Sequence, residues 1–169
     1  MAVDVSGSLD GSGLRVGVIV AQFNETVTAR LLDGAREALR HHGVPEDAVS
    51  IVHVPGSLEL PQAAQRMARS GRWDALVALG CVIRGETAHF ELVAAETARG
   101  IAAVAREHGI AIGFGVLTTE DTAQAMARSG GARGNRGADA VEAALKMASV
   151  NRQLDEDAPL PQQTTEDRS

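Results

Sequence analysis

The chain has 169 residues, enough for one α/β domain with a filled core and too few for two of ordinary size. Its formal charge of −6 comes from both signs spread along the chain, which excludes a nucleic-acid footprint and a basic membrane-binding helix and requires anionic small molecules to be bound locally. The single cysteine, Cys81, excludes an internal disulfide, and the apolar runs break well short of the roughly 20 residues of a membrane span.

From the N-terminus, Val3–Gly13 is rich in Gly and Ser, so residues 1–13 read as an arm that is mobile or takes its order from a neighbouring subunit. No basic segment followed by an apolar one opens the chain, and the cytoplasm is the expected location. The cluster Gly11-Ser12-Gly13 precedes the first strand, whereas a dinucleotide-binding turn has to follow one. Leu14–Ala21 is the first β-rich run, and its exit is Gln22-Phe23-Asn24. A helix with the stripe Leu31, Leu32, Ala35, Ala38 and Leu39 then closes near His41-His42-Gly43, where glycine can take a left-handed conformation.

The second run, Val49–Val54, leaves through Pro55-Gly56-Ser57-Leu58-Glu59 into a helix expected over Leu58–Ser70. The third, Ala75–Val82, carries Cys81 as a small core residue and leaves through Ile83-Arg84-Gly85-Glu86-Thr87-Ala88-His89 into a helix from about Thr87 to His108. The fourth is Ile110–Leu117, whose Phe114 reads as core, with further helices from about Asp121 to Arg128 and from about Gly137 to Asn151. Residues 14–152 thus form the domain, and residues 153–169, with Pro, Gln, Thr and acids, read as a disordered tail. Strands alternating with helices imply a three-layer α/β fold: an open parallel sheet of about four strands with helices on both faces.

Ligands of such sheets sit beyond the carboxyl ends of the strands, where three exits gather glycine, small polar and ionisable residues. At the third, the N–H groups of Gly85, Glu86 and Thr87 can meet an anion at the positive end of a helix dipole, with the Thr87 hydroxyl as a further donor. The same segment also reads as an ordinary helix start capped by Thr87. His89 lies in the first helical turn, where helix dipole and bound anion act in opposite senses on an imidazole, so it is either a proton carrier or an exposed histidine. Arg84 contacts substrate or forms an ion pair. Phe23 either stacks on a planar heterocycle or packs in the core, Glu59 either holds a polyol or serves the helix dipole, and Arg128 either reaches a phosphate or offsets its helix.

Together these pieces resemble the lumazine synthase family. The matching segments are Phe23-Asn24, Val54-Pro55-Gly56-Ser57-Leu58-Glu59-Leu60-Pro61, Gly80-Cys81-Val82-Ile83-Arg84-Gly85-Glu86-Thr87-Ala88-His89-Phe90, Phe114-Gly115-Val116-Leu117-Thr118-Thr119 and Gly134-Asn135-Arg136-Gly137, in the family's order and spacing over roughly residues 14 to 152. The resemblance implies a flavodoxin-like fold that binds ribitylaminouracil and dihydroxybutanone phosphate and needs no cofactor and no metal. It implies that Phe23 stacks on the pyrimidine beside Asn24, that Ser57, Leu58 and Glu59 border the ribityl chain, and that Val82 and Ile83 meet the pyrimidine edge. Gly85, Glu86 and Thr87 would hold the phosphate with Arg128 of a neighbouring subunit, His89 would move protons, and Phe114 would border the site across a subunit contact. Arg136 stands where the family commonly has lysine, which keeps the charge and changes its shape. The family assembles as homopentamers, and the short segment Arg128–Gly134 points to their further packing into an icosahedral shell, which in turn admits an enclosed riboflavin synthase. No nucleic acid and no membrane enters this expectation.

Overall fold

The structure, a computed structural model, describes residues 2–156. Its centre is a parallel sheet of β1 (Val16–Ala21), β2 (Val49–Val54), β3 (Ala75–Ile83) and β4 (Ala111–Thr119), in the order β2-β1-β3-β4. All three pairings are parallel, with Val16 opposite both Val49 and Ala75, and Ala75 opposite Ala111. Helices α1 (Glu25–His41), α2 (Leu60–Ser70), α3 (His89–His108), α4 (Thr122–Ala127) and α5 (Arg136–Glu156) complete the layers.

The central strands are covered on both faces, so β1 reads as an unbroken buried apolar run without polar alternation. On one face Val16, Val18, Val77 and Leu79 pack with Leu31 and Leu39 of α1 and Val141 and Leu145 of α5. On the other, Ile19, Leu76 and Ala78 pack with Leu60 and Met67 of α2 and Ile101 and Val104 of α3. Both covering layers approach the sheet closely: a Cβ at Gly113 of β4 would run into the carbonyl oxygen of Ala140 in α5. Gly71 and Gly109 close α2 and α3 in the left-handed conformation that lacks a Cβ penalty.

Strand ends shift by one or two residues from those read in the sequence, and four differences are larger or change an element. A single 3-10 turn, Ser57–Glu59, precedes α2, which starts at Leu60 and not at Leu58. Helix α3 starts at His89, because residues Arg84–Ala88 stay outside the helix as a loop. Residues Ser129–Gly131 (β5) and Gly134–Asn135 (β6) pair as a small antiparallel hairpin that the sequence reading left as a turn. Helix α5 continues past Asn151 to Glu156, so Gln153–Glu156 of the expected disordered tail are helical; the rest of that tail lies outside the described residues. The described residues of the N-terminal arm, 2–13, form no strand within their own chain. The Ser8 N–H donates to Ser149 Oγ at 3.1 Å, Gln153 donates to the Ser6 carbonyl at 2.9 Å, and the Gly11 N–H donates to the His42 carbonyl at 2.7 Å.

Candidate active site

Strand order brings three of the exits together. The chain runs outward from β1 to β2, then crosses back over β1 to β3 and on to β4, so the crevice beyond β1 and β3 is where the winding direction reverses. The exits are tied to one another by hydrogen bonds. Gln22 and Phe23 donate their N–H groups to the carbonyls of Val54 and Pro55, at 2.8 and 3.0 Å. Asn24, in the left-handed conformation with φ 60° and ψ 48°, donates its side-chain amide to the Cys81 carbonyl at 2.8 Å. Burial raises the Cys81 thiol to about 11, so this cysteine stays protonated and acts as packing.

This framework leaves Phe23 72% exposed at the mouth of the crevice, with its ring available for stacking and not used as core. Ser57, at the β2 exit, is buried at 7% exposure, and a Cβ at Gly80 would lie 2.5 Å from Ser57 Oγ, so the β2 exit rests directly on β3. Glu59 is half-buried and Leu58 exposed on the same turn. Backbone polar groups alternate sides along a strand. Cys81 uses its carbonyl on the β1 side, while the Arg84 N–H reaches the Thr119 carbonyl on the β4 side at 2.8 Å. Ile83 therefore shares the side of Cys81 and turns its N–H and carbonyl toward the crevice. Those of Val82 turn toward β4.

The loop Arg84–Ala88 is exposed throughout. A Cβ at Gly85 would meet nothing within 4 Å, so no part of the chain occupies the space above that residue, and an anion can approach the backbone there. Helix α3 has Ala88 at its N-cap and no side-chain cap bond. The Thr87 hydroxyl makes one long contact, accepting from the His89 N–H at 3.4 Å, so the capping role read as an alternative for Thr87 is weak here. His89 is the first residue of α3 and exposed, next to the open N–H groups.

Arg84 is ion-paired, one of its two sequence readings. Its guanidinium meets Glu91 Oε1 through Nη1 and Glu120 Oε2 through Nε, the latter at 2.8 Å, and lies 4.6 Å from the centre of the Phe90 ring. Glu91 is held below the ordinary carboxylate range by its hydrogen bond to Arg84, and the Arg84 guanidinium is raised by the same bond. The sequence reading missed Glu91 and Glu120. Glu91, in the first turn of α3 with an arginine seven residues earlier, carried a signal; Glu120 could be connected only through the β3–β4 pairing.

Three expected site residues lie elsewhere in the chain. Phe114 is 40% exposed and not core, because β4 is an edge strand and leaves the middle of that face uncovered. Arg128 follows α4 and donates to the Gln124 carbonyl at 3.1 Å. Arg136 opens α5, beside the hairpin, 3.6 Å from Asp139. Among the described residues no group of three or more His, Cys, Asp or Glu side chains is arranged to hold a metal ion, and no helix is long and apolar enough to cross a membrane.

A parallel sheet with an exposed ring at its switch point and an open loop leading to a histidine at a helix start has the architecture of an α/β enzyme that takes its ligands beyond the strand ends. The family model described as 6,7-dimethyl-8-ribityllumazine synthase matches residues 13–152. The chain belongs to that family. A protein from Anaeromyxobacter sp. (strain K) named 6,7-dimethyl-8-ribityllumazine synthase is 50% identical over 148 residues, which are 88% of this chain and 91% of the relative. One of the same name from Thermococcus gammatolerans is 49% identical over 152 residues, 90% of this chain and 97% of the relative.

Proposed function

We propose that the chain joins 5-amino-6-(D-ribitylamino)uracil to 3,4-dihydroxy-2-butanone 4-phosphate, giving 6,7-dimethyl-8-ribityllumazine, phosphate and water in riboflavin biosynthesis. The observation that carries this reading is the juxtaposition of two unlike subsites: an exposed Phe23 beside a buried Ser57, and the open Gly85–Thr87 loop ending at His89. The first suits a planar ring with a polyol chain, the second a phosphate. Family membership supplies the reaction that needs both.

In this assignment Phe23 stacks on the pyrimidine and Asn24 shapes the turn beneath it. Ser57, Leu58 and Glu59 border the ribityl chain, while Ile83 offers backbone groups to the ring edge and Val82 lines the wall. Gly85, Glu86 and Thr87 hold the phosphate. The substrate amine attacks the ketone, water leaves as an imine forms, phosphate is eliminated, and ring closure releases the second water. Proton transfers accompany each step, and His89 is the side chain placed to carry them. Positioning two bound substrates supplies the rest of the acceleration.

Arg128 completes the site from a neighbouring subunit, Phe114 borders it across a subunit contact, and Arg136 adds a positive charge at the position where the family commonly has lysine. Support comes from the single chain, in which Arg128 bonds to its own helix and Phe114 faces outward. The assembly is a homopentamer, packed further into an icosahedral shell of the kind that can enclose a riboflavin synthase, and it works in the cytoplasm. Purified protein given both substrates should form the lumazine chromophore above the uncatalysed rate. His89→Ala should lower kcat by about 10²-fold or less, with most of the rate enhancement left to positioning, whereas Phe23→Ala and Arg128→Ala should chiefly raise KM. Background-level formation by the wild type would overturn the assigned reaction.

A further inference from the structure

Arg84 joins the anion loop, the first turn of α3 and the exit of β4 through one side chain. The loop itself has little else to hold it. Its residues Arg84–Ala88 are exposed, α3 lacks a side-chain cap, and a Cβ at Gly85 would meet nothing within 4 Å. Yet its N–H groups must present a fixed concave surface if they are to bind an anion, because binding by backbone donors depends on their direction.

Four contacts converge on Arg84. Its backbone N–H donates to the Thr119 carbonyl at 2.8 Å. Its Nη1 is bonded to Glu91 in α3, its Nε is 2.8 Å from Glu120 Oε2 just beyond β4, and its guanidinium carbon lies 4.6 Å from the Phe90 ring centre. A planar guanidinium can hold two carboxylates from different directions while stacking on a ring, which an ammonium cannot do. Taken singly, such half-exposed pairs contribute little to folding stability. Their effect here is geometric: they fix both ends of the loop, one to β4 and one to the residue two positions after His89.

We propose that Arg84 is a positioning residue that clamps the Gly85–Thr87 loop and His89 in phosphate-binding geometry through Glu91 and Glu120. Resting on the reaction assigned above, it specifies how the phosphate subsite is held. A direct phosphate contact by Arg84 makes the opposite prediction for Glu120. Removing that carboxylate takes a negative charge away from an anion site and frees the arginine, so charge alone would tighten phosphate binding. A clamp would loosen instead.

The test compares wild type, Arg84→Ala, Arg84→Lys and Glu120→Gln in the assembled state in which the protein purifies. Inorganic phosphate binding is measured by calorimetry, KM for each substrate is measured by turnover, and thermal unfolding serves as the control. The clamp predicts an unchanged melting temperature, phosphate affinity and the sugar-phosphate KM worse by about tenfold in Arg84→Ala, partial recovery in Arg84→Lys, and an unchanged pyrimidine KM, about tenfold being a modest cost for a misplaced binding geometry. Glu120→Gln should weaken phosphate binding a few-fold. Unchanged or tighter phosphate binding in Glu120→Gln overturns the proposal, as does a parallel rise of both KM values in Arg84→Ala. A wild type that binds phosphate with these differences but makes no lumazine would sink the assigned reaction and support the clamp.

Discussion

Asn24 shows how a single residue can set a site it need not touch. Among the described residues it is the only non-glycine with positive φ, and its amide bridges from the β1 exit to the Cys81 carbonyl of β3 at 2.8 Å. Asparagine tolerates the left-handed region better than most residues, and here its side chain also supplies a donor to a strand carbonyl left beyond the end of β1. The two contributions can be separated. Asn24→Gly keeps the backbone conformation and loses the amide, while Asn24→Ala loses the amide and adds a left-handed penalty of about 1–2 kcal/mol. Urea unfolding at one protein concentration should therefore find both variants less stable than wild type and Ala the lower by about 1 kcal/mol. Equal midpoints for the two variants would show that backbone strain at this turn is not what selects asparagine.

At the scale of elements, close approach of α5 to β4 sets the thickness of one layer. Gly113 is opposite Val77 in the sheet, and its missing Cβ is the space in which the Ala140 carbonyl lies. The obstruction is backbone, which cannot rotate away, so Gly113→Ala should shift α5 and cost about 1–3 kcal/mol as overpacking, read as a lowered denaturant midpoint; an unchanged midpoint would mean that α5 slides at no cost. The sequence shows the glycine but not its neighbour. The same limit separates what was legible from what was not. The strands were legible because a doubly covered sheet demands unbroken apolar runs, and the exits because turns and anion loops demand glycine and small polar residues. Phe114 was misread because an apolar run does not show whether its strand lies at the edge of the sheet. The hairpin was missed because Ser129–Gly131 and Gly134–Asn135 are too short and too polar to show alternation. The link from Arg84 to Glu120 depends on β3 and β4 being neighbours, a consequence of tertiary structure that no local spacing encodes.

The single chain exposes several large apolar side chains and two sheet edges, features through which copies of a chain can associate. Phe23, Leu58, Leu92, Phe114, Met147 and Leu154 are large, apolar and exposed, and β2 and β4 both present free edges. Beside β2 a groove of about 680 Å³ has Leu39, Val44, Val49 and Ile51 in its lining and the Arg36–Glu46 pair, 3.0 Å apart, among its charged residues. The arm supplies a matching segment. Its contacts with α5 and His42 begin at Ser6, and Val3 beyond them is 81% exposed. An extended Ala2–Val5 could add to the free edge of a neighbour's β2, giving backbone bonds along the strand and placing valines over the groove. On this basis multi-angle light scattering at micromolar concentration should find pentamers or a closed shell of them and no monomer. Removing residues 2–5 should leave the single-chain fold intact, as judged by circular dichroism, and shift the mass distribution toward smaller species, because each subunit would lose one strand-edge contact. A monomeric wild type would refute the assembly. An unchanged distribution after the deletion would leave assembly standing and remove the arm from it, in which case the exposed faces of α3 and β4 would have to supply the contact.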